Sequence, residues 1–232
     1  SMFIAELTAS SDIAIEKIIL EEQLISRFST LRLSDTLSPE IERHESVYID
    51  RVLEKFVMNV TALNSYLRCP LSFYYKNILR IPSSKNESLE FGSAVHFALE
   101  KLFRKMQESK TEKFPDKAAF IADFEWYMHK HRESFTKEQF ARRLEYGDEI
   151  LGNYYDQNIN SFHKIVAVEQ SLRGVINGVP IKGKLDKLEF NGKIVHIIDY
   201  KTGDPENGGK KINGPSEKDP NGGDYWRQAA FY

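Results

Sequence analysis

Three side chains in the stretch PIKGKLDKLEFNGKIVHIIDYK, residues 180–201, have the types and spacing for chemistry: Asp186, Asp199 and Lys201. Two carboxylates on one face of a sheet can hold a hard divalent cation between them, because such ions prefer oxygen ligands. A lysine beside them can orient or deprotonate an attacking water and offset charge developing on a phosphate. The chemistry open to this set is metal-assisted phosphodiester hydrolysis. The bland alternatives are an exposed strand edge for the acids and a lysine that only pairs with them. Asp199 follows the apolar Ile197 and Ile198, which argues against exposure, since a buried acid without a partner is costly.

Local turn chemistry predicts how these groups meet. Asn191-Gly192 supplies two residues that tolerate positive φ, as a type I′ hairpin turn requires. A two-residue loop there pairs Phe190 with Lys193 and sets Asp186 opposite Ile197. Side-chain alternation then puts Asp199 and Lys201 on the face of Asp186, with Asp199 a diagonal neighbour about 7 Å away. A second Asn-Gly, at Asn177-Gly178, pairs Ile176 with Val179 and places Glu169 directly across from Asp186. Three acids and one lysine thus converge on one face of a three-stranded meander, provided neither strand slips by one residue. Taken alone, Glu169 fits a solvent-facing edge position equally well.

The rest of the chain must carry that meander. Residues 11–29 have a Ser/Asp cap and apolar residues at helical spacing, and predict an amphipathic helix. Residues 48–58 fit either a strand or a short helix. Residues 1–58 read as a helical lead-in or the end of a neighbouring domain, and 59–232 as the main domain. A Thr61-capped helix is expected to run to Arg68 and restart after Cys69-Pro70. Residues 90–106 predict a helix with Val95, Leu99, Leu102, Phe103 and Met106 on one stripe. His96 lies on the flank of that stripe, where a histidine is more often a hydrogen-bonded core residue than a ligand. Residues 115–135 and 137–159 predict two further helices, and strands begin near Ile165. Residues 202–224 read as a long loop, and 225–232 as a helix whose abrupt ending is expected of a piece cut from a longer chain. Helices followed by an antiparallel meander give an α/β or α+β class. The third strand, KIVHIIDY, is apolar on both faces, which predicts a central strand covered on both sides.

Composition narrows the function. A chain of 232 residues holds one good-sized domain plus an appendage. No apolar run approaches a membrane span and no secretory signal is visible, so no membrane partner is expected. The single cysteine, Cys69, rules out an internal disulfide and fits a cytoplasmic location. The net charge of −2 is unhelpful for a nucleic-acid binder taken whole. Locally, however, Lys182, Lys184, Lys187, Lys193 and Lys201 crowd the acidic hairpin, and a basic surround with an acidic centre suits a polyanion. Arg173, Lys184, Lys210 and Lys211 are candidates for phosphate contact. No G-x-x-x-x-G-K-[ST] loop occurs, so ATP-driven unwinding would come from elsewhere.

With these residues named, the chain resembles the RecB-like branch of the PD-(D/E)XK nuclease superfamily over residues 61–232. The ordered signatures are Gly92-Ser-Ala-Val-His96, Glu169, Gly183-Lys-Leu-Asp186, Asp199-Tyr-Lys201 and Gln228-Ala-Ala-Phe-Tyr232. Each is weak alone; five in order are a strong signal. The S-Y-x-x-C-P segment at Cys69 is similar to AddB-type helicase-nuclease subunits. The resemblance implies a restriction-endonuclease-like mixed central sheet flanked by helices. It implies an Mg²⁺- or Mn²⁺-dependent DNA nuclease leaving 5′-phosphate ends, as the exonuclease domain of a repair or recombination helicase-nuclease. A helicase partner subunit or parent-chain helicase domain follows from it. Asp186, Asp199 and His96 would hold metal, with Asp186, Asp199, Lys201 and Glu169 catalytic. Gln228 and Tyr232 would line the DNA side, with Lys184 and Arg173 beside them. In iron–sulfur members, a cysteine at the Cys69 position joins three more beyond the Q-x-x-x-Y helix. Those are absent here, so no iron–sulfur cluster is expected and Cys69 reads as a small buried residue. Two other classes stand beside the nuclease: a nuclease fold that only holds DNA or a partner, and a hydrolase of small phosphate compounds.

Overall fold

The computed structural model describes residues 21–25, 46–84 and 86–232. By its internal contacts the chain divides into Ser1–Ser46 and Val47–Tyr232. In the first unit residues 22–25 are helical; the remainder of the helix expected over 11–29 lies outside the described residues. Everything below concerns the second unit.

Helix α1 (Ser46–Glu54) resolves most of the ambiguous segment 48–58 as helix, with Met58 at the segment's end in a β-bridge. Helix α2 (Val60–Arg68) is capped by Asn59, whose side chain accepts from the Ala62 amide, and not by Thr61 as the sequence pattern predicts. Cys69 ends α2, and its Sγ accepts from Ser72 N at 3.5 Å at the start of α3 (Pro70–Phe73), which continues as a π-type turn over Tyr74–Ile78. Cys69 is exposed, contrary to the expectation of burial. Its Sγ faces the start of the next turn at the surface instead of the core.

Three helices form the body. Helix α4 (Glu87–Glu108) is capped by Asn86; it buries the predicted stripe of Val95, Leu99, Leu102, Phe103 and Met106, and Phe91 besides. Helix α5 (Lys117–Lys130), capped by Asp116, contributes Phe120, Phe124 and Met128 at a spacing of four residues, one face of a helix. Helix α6 (Lys137–Asn158) begins with a reciprocal Thr136–Gln139 capping box. Each fully buried Phe, Leu or Met contributes on the order of 2 kcal/mol by leaving water. This core extends to Val166 and Val168, so the helices grip the sheet where it starts.

The sheet, among the described residues, is β1 (Val166–Ile176), β2 (Val179–Asn191) and β3 (Ile194–Ile198), antiparallel in that order. Met58 adds a parallel bridge to Ile181, with Met58 N donating to Pro180 O at 2.9 Å. Ile176 faces Val179 across the first turn as predicted. The second turn differs: Asn191 pairs with Ile194, so Gly192 and Lys193 form the loop, with Gly192 at φ 62°. A glycine at the first loop position meets a positive φ without cost, and the Asn191 partner assignment moves by two residues. A two-residue shift preserves the face, so Asp186 and Asp199 stay on one side.

β3 is not a covered central strand: Ile194 and Ile197 are 59% and 46% exposed. It pairs with β2 alone among the described residues. An apolar run shows what a strand's faces tolerate, not which strands flank it. The expected long loop contains α7 (Pro205–Lys211), where the Asp204 cap and a proline in the first turn overcome two helical glycines. Helix α8 (Asp224–Phe231) closes the described chain. No described helix is long and apolar enough to cross a membrane.

Candidate active site

A cleft of about 790 Å³ opens where α4, the sheet and α8 meet. α4 brings His96, β1 brings Glu169 and β2 brings Asp186, and one ligand atom from each lies within 4.8 Å of the other two. One close approach stands beside this convergence. A Cβ on Gly92 would stand 3.1 Å from Thr202 Oγ1, tighter than ordinary contact, whereas one on Gly183 would meet the Tyr232 ring at an ordinary 3.4 Å. Glycine at position 92 lets the segment after β3 pack against the site.

Glu169 has a left-handed backbone, φ 54°, inside an extended strand. A non-glycine residue there costs about 1 kcal/mol. The β1–β2 register is the predicted one on either side, Val168 to Lys187 and Gln170 to Leu185, but the 169–186 pair drops out of the ladder. Strain of this kind gathers where the surrounding structure needs a side chain re-aimed. Here the carboxylate turns into the cleft and pairs with Lys184.

His96 is oriented by two contacts. Its Nε2 lies 3.1 Å from Tyr200 O, and its Nδ1 lies 3.2 Å from Asp186 Oδ1. A carbonyl can only accept, so Nε2 carries a proton and Nδ1 is the atom that faces the acids. Burial pulls the imidazole pKa down. The hydrogen bond that protonated Nδ1 donates to Asp186, and the charges of Asp186, Glu169 and Asp199, outweigh it, and the net shift is upward from 6.5. For Asp186, burial pushes the carboxyl up, but His96, the Tyr200 amide at 2.8 Å and Lys201 together hold it below 3.8. Lys184 is raised above its usual value, chiefly by its bond to Glu169.

Asp199 and Lys201 lie just past the end of β3, paired with each other. Asp199 is not part of the three-ligand group; its Oδ1 accepts from Gln228 Nε2 at 2.8 Å. Gln228 Nε2 also lies 2.6 Å from Tyr232 Oη, which donates to Lys184 O at 3.1 Å. The Q-x-x-x-Y residues therefore tie Asp199 to β2, and they line a depression that adjoins the cleft at Thr61 and Lys184. Arg173 is exposed on β1, opposite Lys182 and outside the cleft.

Other contributors are not visible in motif spacing. Glu100, one turn beyond His96 on α4, lines the same cleft, and the i, i+4 spacing is the signal that finds it. Arg227 donates to Asn64 Oδ1 at 2.6 Å and Arg68 to Asp224 at 2.8 Å, which ties α8 to α2. Only contact across the fold identifies these.

The donor set fits a divalent cation: two carboxylates and an imidazole nitrogen converge, and the cations opposing them are an exposed lysine, Lys184, and the partly exposed Lys201. A family model described as the PD-(D/E)XK nuclease superfamily matches residues 57–232. Comparison with curated proteins and with solved structures gave no match.

Proposed function

The chain belongs to the PD-(D/E)XK nuclease superfamily, and from that premise we propose that it hydrolyses DNA phosphodiesters as the exonuclease domain of a RecB-like, AddB-type repair or recombination machine. The observation that carries this reading is the convergence of His96, Glu169 and Asp186 from three separate elements. These three would hold Mg²⁺ or Mn²⁺, with Asp199 beside them after a change of partner. The bound cation supplies positive charge against phosphoryl oxygens and makes water more acidic. The chain's own groups do the rest. Lys201 Nζ, beside the cleft and over the Tyr225 ring at 5.1 Å, orients the attacking water and offsets charge on the phosphate. The Tyr200 carbonyl holds the proton on His96 Nε2 and keeps Nδ1 turned inward. Gln228 holds Asp199 in place. The helicase partner and a cytoplasmic setting belong to the same proposal.

The test is cleavage of end-labelled single- and double-stranded DNA with Mg²⁺ or Mn²⁺, with Asp199→Ala and Lys201→Ala alongside. Metal-dependent cutting lost in both variants supports the reading; equal cutting by all three proteins defeats it. One observation favours a second reading, a module that holds DNA without cutting it: Asp199 is engaged by Lys201 and Gln228 instead of facing the three-ligand group. Metal binding that needs Asp186, with no cutting, would select that reading.

A further inference from the structure

The catalytic cleft is the first of three that run along β2. At Thr61 and Lys184 it meets a second depression, which reaches Arg173 and Lys182. That depression shares Asn59, Asn77 and Lys182 with a third cleft of about 860 Å³. The third cleft is lined by Arg51, Lys55, Lys76, Arg80 and Lys182, and by no aspartate or glutamate. In a chain with slightly more acids than bases this is a marked segregation of charge. Among the described residues none of the five makes an ion pair.

Two details show basic residues placed at a cost. Arg173 and Lys182 are direct cross-strand partners, and like charges so placed repel unless an anion lies across them. Arg80 sits at φ 55° just past the π-type turn, with Ile81 N bonded back to Tyr75 O at 2.9 Å. That is the left-handed position closing a helix, where glycine is the low-cost residue, yet an arginine occupies it and stands in the basic cleft. Lys182, Lys184 and Asp186 alternate onto one face of β2, so the line of cations leads to the acidic centre. Tyr48, 47% exposed, stands on the cleft wall as a stacking surface.

We infer that the third cleft is a track for the sugar–phosphate backbone of a single nucleic-acid strand whose other end lies in the catalytic cleft. The inference rests on the hydrolase reading for its direction, but binding tests it separately. The variant is Arg51→Gln/Lys76→Gln/Arg80→Gln, three exposed side chains outside the catalytic machinery. The probe is fluorescein-labelled oligothymidine of about 20 nucleotides, longer than a single compact binding site needs, in EDTA. Affinity is expected to fall at least about tenfold, and the slope of log K against log salt by about 2, at roughly 0.7 per lost phosphate contact. Hydrolysis of bis(p-nitrophenyl) phosphate with metal should be unchanged. Unaltered affinity and salt slope overturn the track, and the hydrolase reading survives if the wild type still cuts DNA. Groove-dependent binding with no cutting leaves the track standing and removes the hydrolase. Preference for polyglutamate over oligothymidine overturns it in favour of an acidic protein partner.

Discussion

Asp186 and Lys187 are neighbours on β2, alternate in direction, and show two ways of handling a charge inside a protein. The Lys187 side chain is 3% exposed; its Nζ lies 2.8 Å from Glu189 Oε1 and 4.4 Å from the Phe103 ring centre, with Phe162 and Tyr200 further round. One fixed counter-charge and three ring faces meet this cation, and no room is left for exchange. Asp186 is compensated differently, by a histidine that can lose its proton and, through Glu169, within reach of Lys184, whose side chain is 65% exposed. Those partners can leave. A buried charge with permanent partners builds the fold, whereas one with removable partners can take up a metal and substrate.

The comparison can be broken most sharply at the acids. Asp186→Asn should lower DNA cleavage by about 10³-fold or more, about 4 kcal/mol in the barrier, and abolish Mn²⁺ binding in calorimetry while the fold persists. On the other side, Glu189→Gln leaves Lys187 charged and buried without its acid, and should cost about 3 kcal/mol in urea unfolding. Adding Lys187→Met to that variant should recover much of the loss, and neither change should alter the metal requirement. Divalent metal at about a hundred times its Kd should stabilise the wild type by about 2.7 kcal/mol, read as a rise in Tm that Asp186→Asn lacks and Lys187→Met keeps.

The smallest effect expected is a pH dependence. His96 is raised above 6.5 in the folded protein, so in EDTA its contribution is complete below 6.5 and fades as pH climbs through the folded value. Asp186 is held below 3.8, so its contribution is present above 3.8 and fades as pH falls through the folded value. Metal-free stability should plateau between those limits, and His96→Gln should flatten the upper edge. Metal affinity should move oppositely at that edge, rising with pH as His96 Nδ1 loses its proton.

Much of this was legible in the sequence. The apolar stripe from Val95 to Met106 announces its helix, and Asn177-Gly178 sets the register that brings Glu169 level with Asp186. The Asn191-Gly192 turn misled by two residues, because an Asn-Gly pair names a turn without saying which residue enters it first. The short helix that Asp204-Pro205 opens is hidden by the Gly, Pro, Asn and charged residues that surround it. The exposure of β3 and of Cys69 was illegible for a common reason: burial belongs to what lies opposite, and no local pattern names the opposite surface.

What the sequence by itself determined is therefore local: the helices, the turn positions, and the face each acid occupies, since side chains alternate with a period of two and survive a two-residue slip. Tertiary structure alone decided that His96 Nδ1 meets Asp186, that Glu169 bends into the cleft at a left-handed φ, that Asp199 leans on Gln228, and that basic residues from α1, the π-type turn and β2 line one groove. These are contacts between segments far apart along the chain, and their geometry is set by the packing of helices on the sheet, which no short stretch of residues encodes.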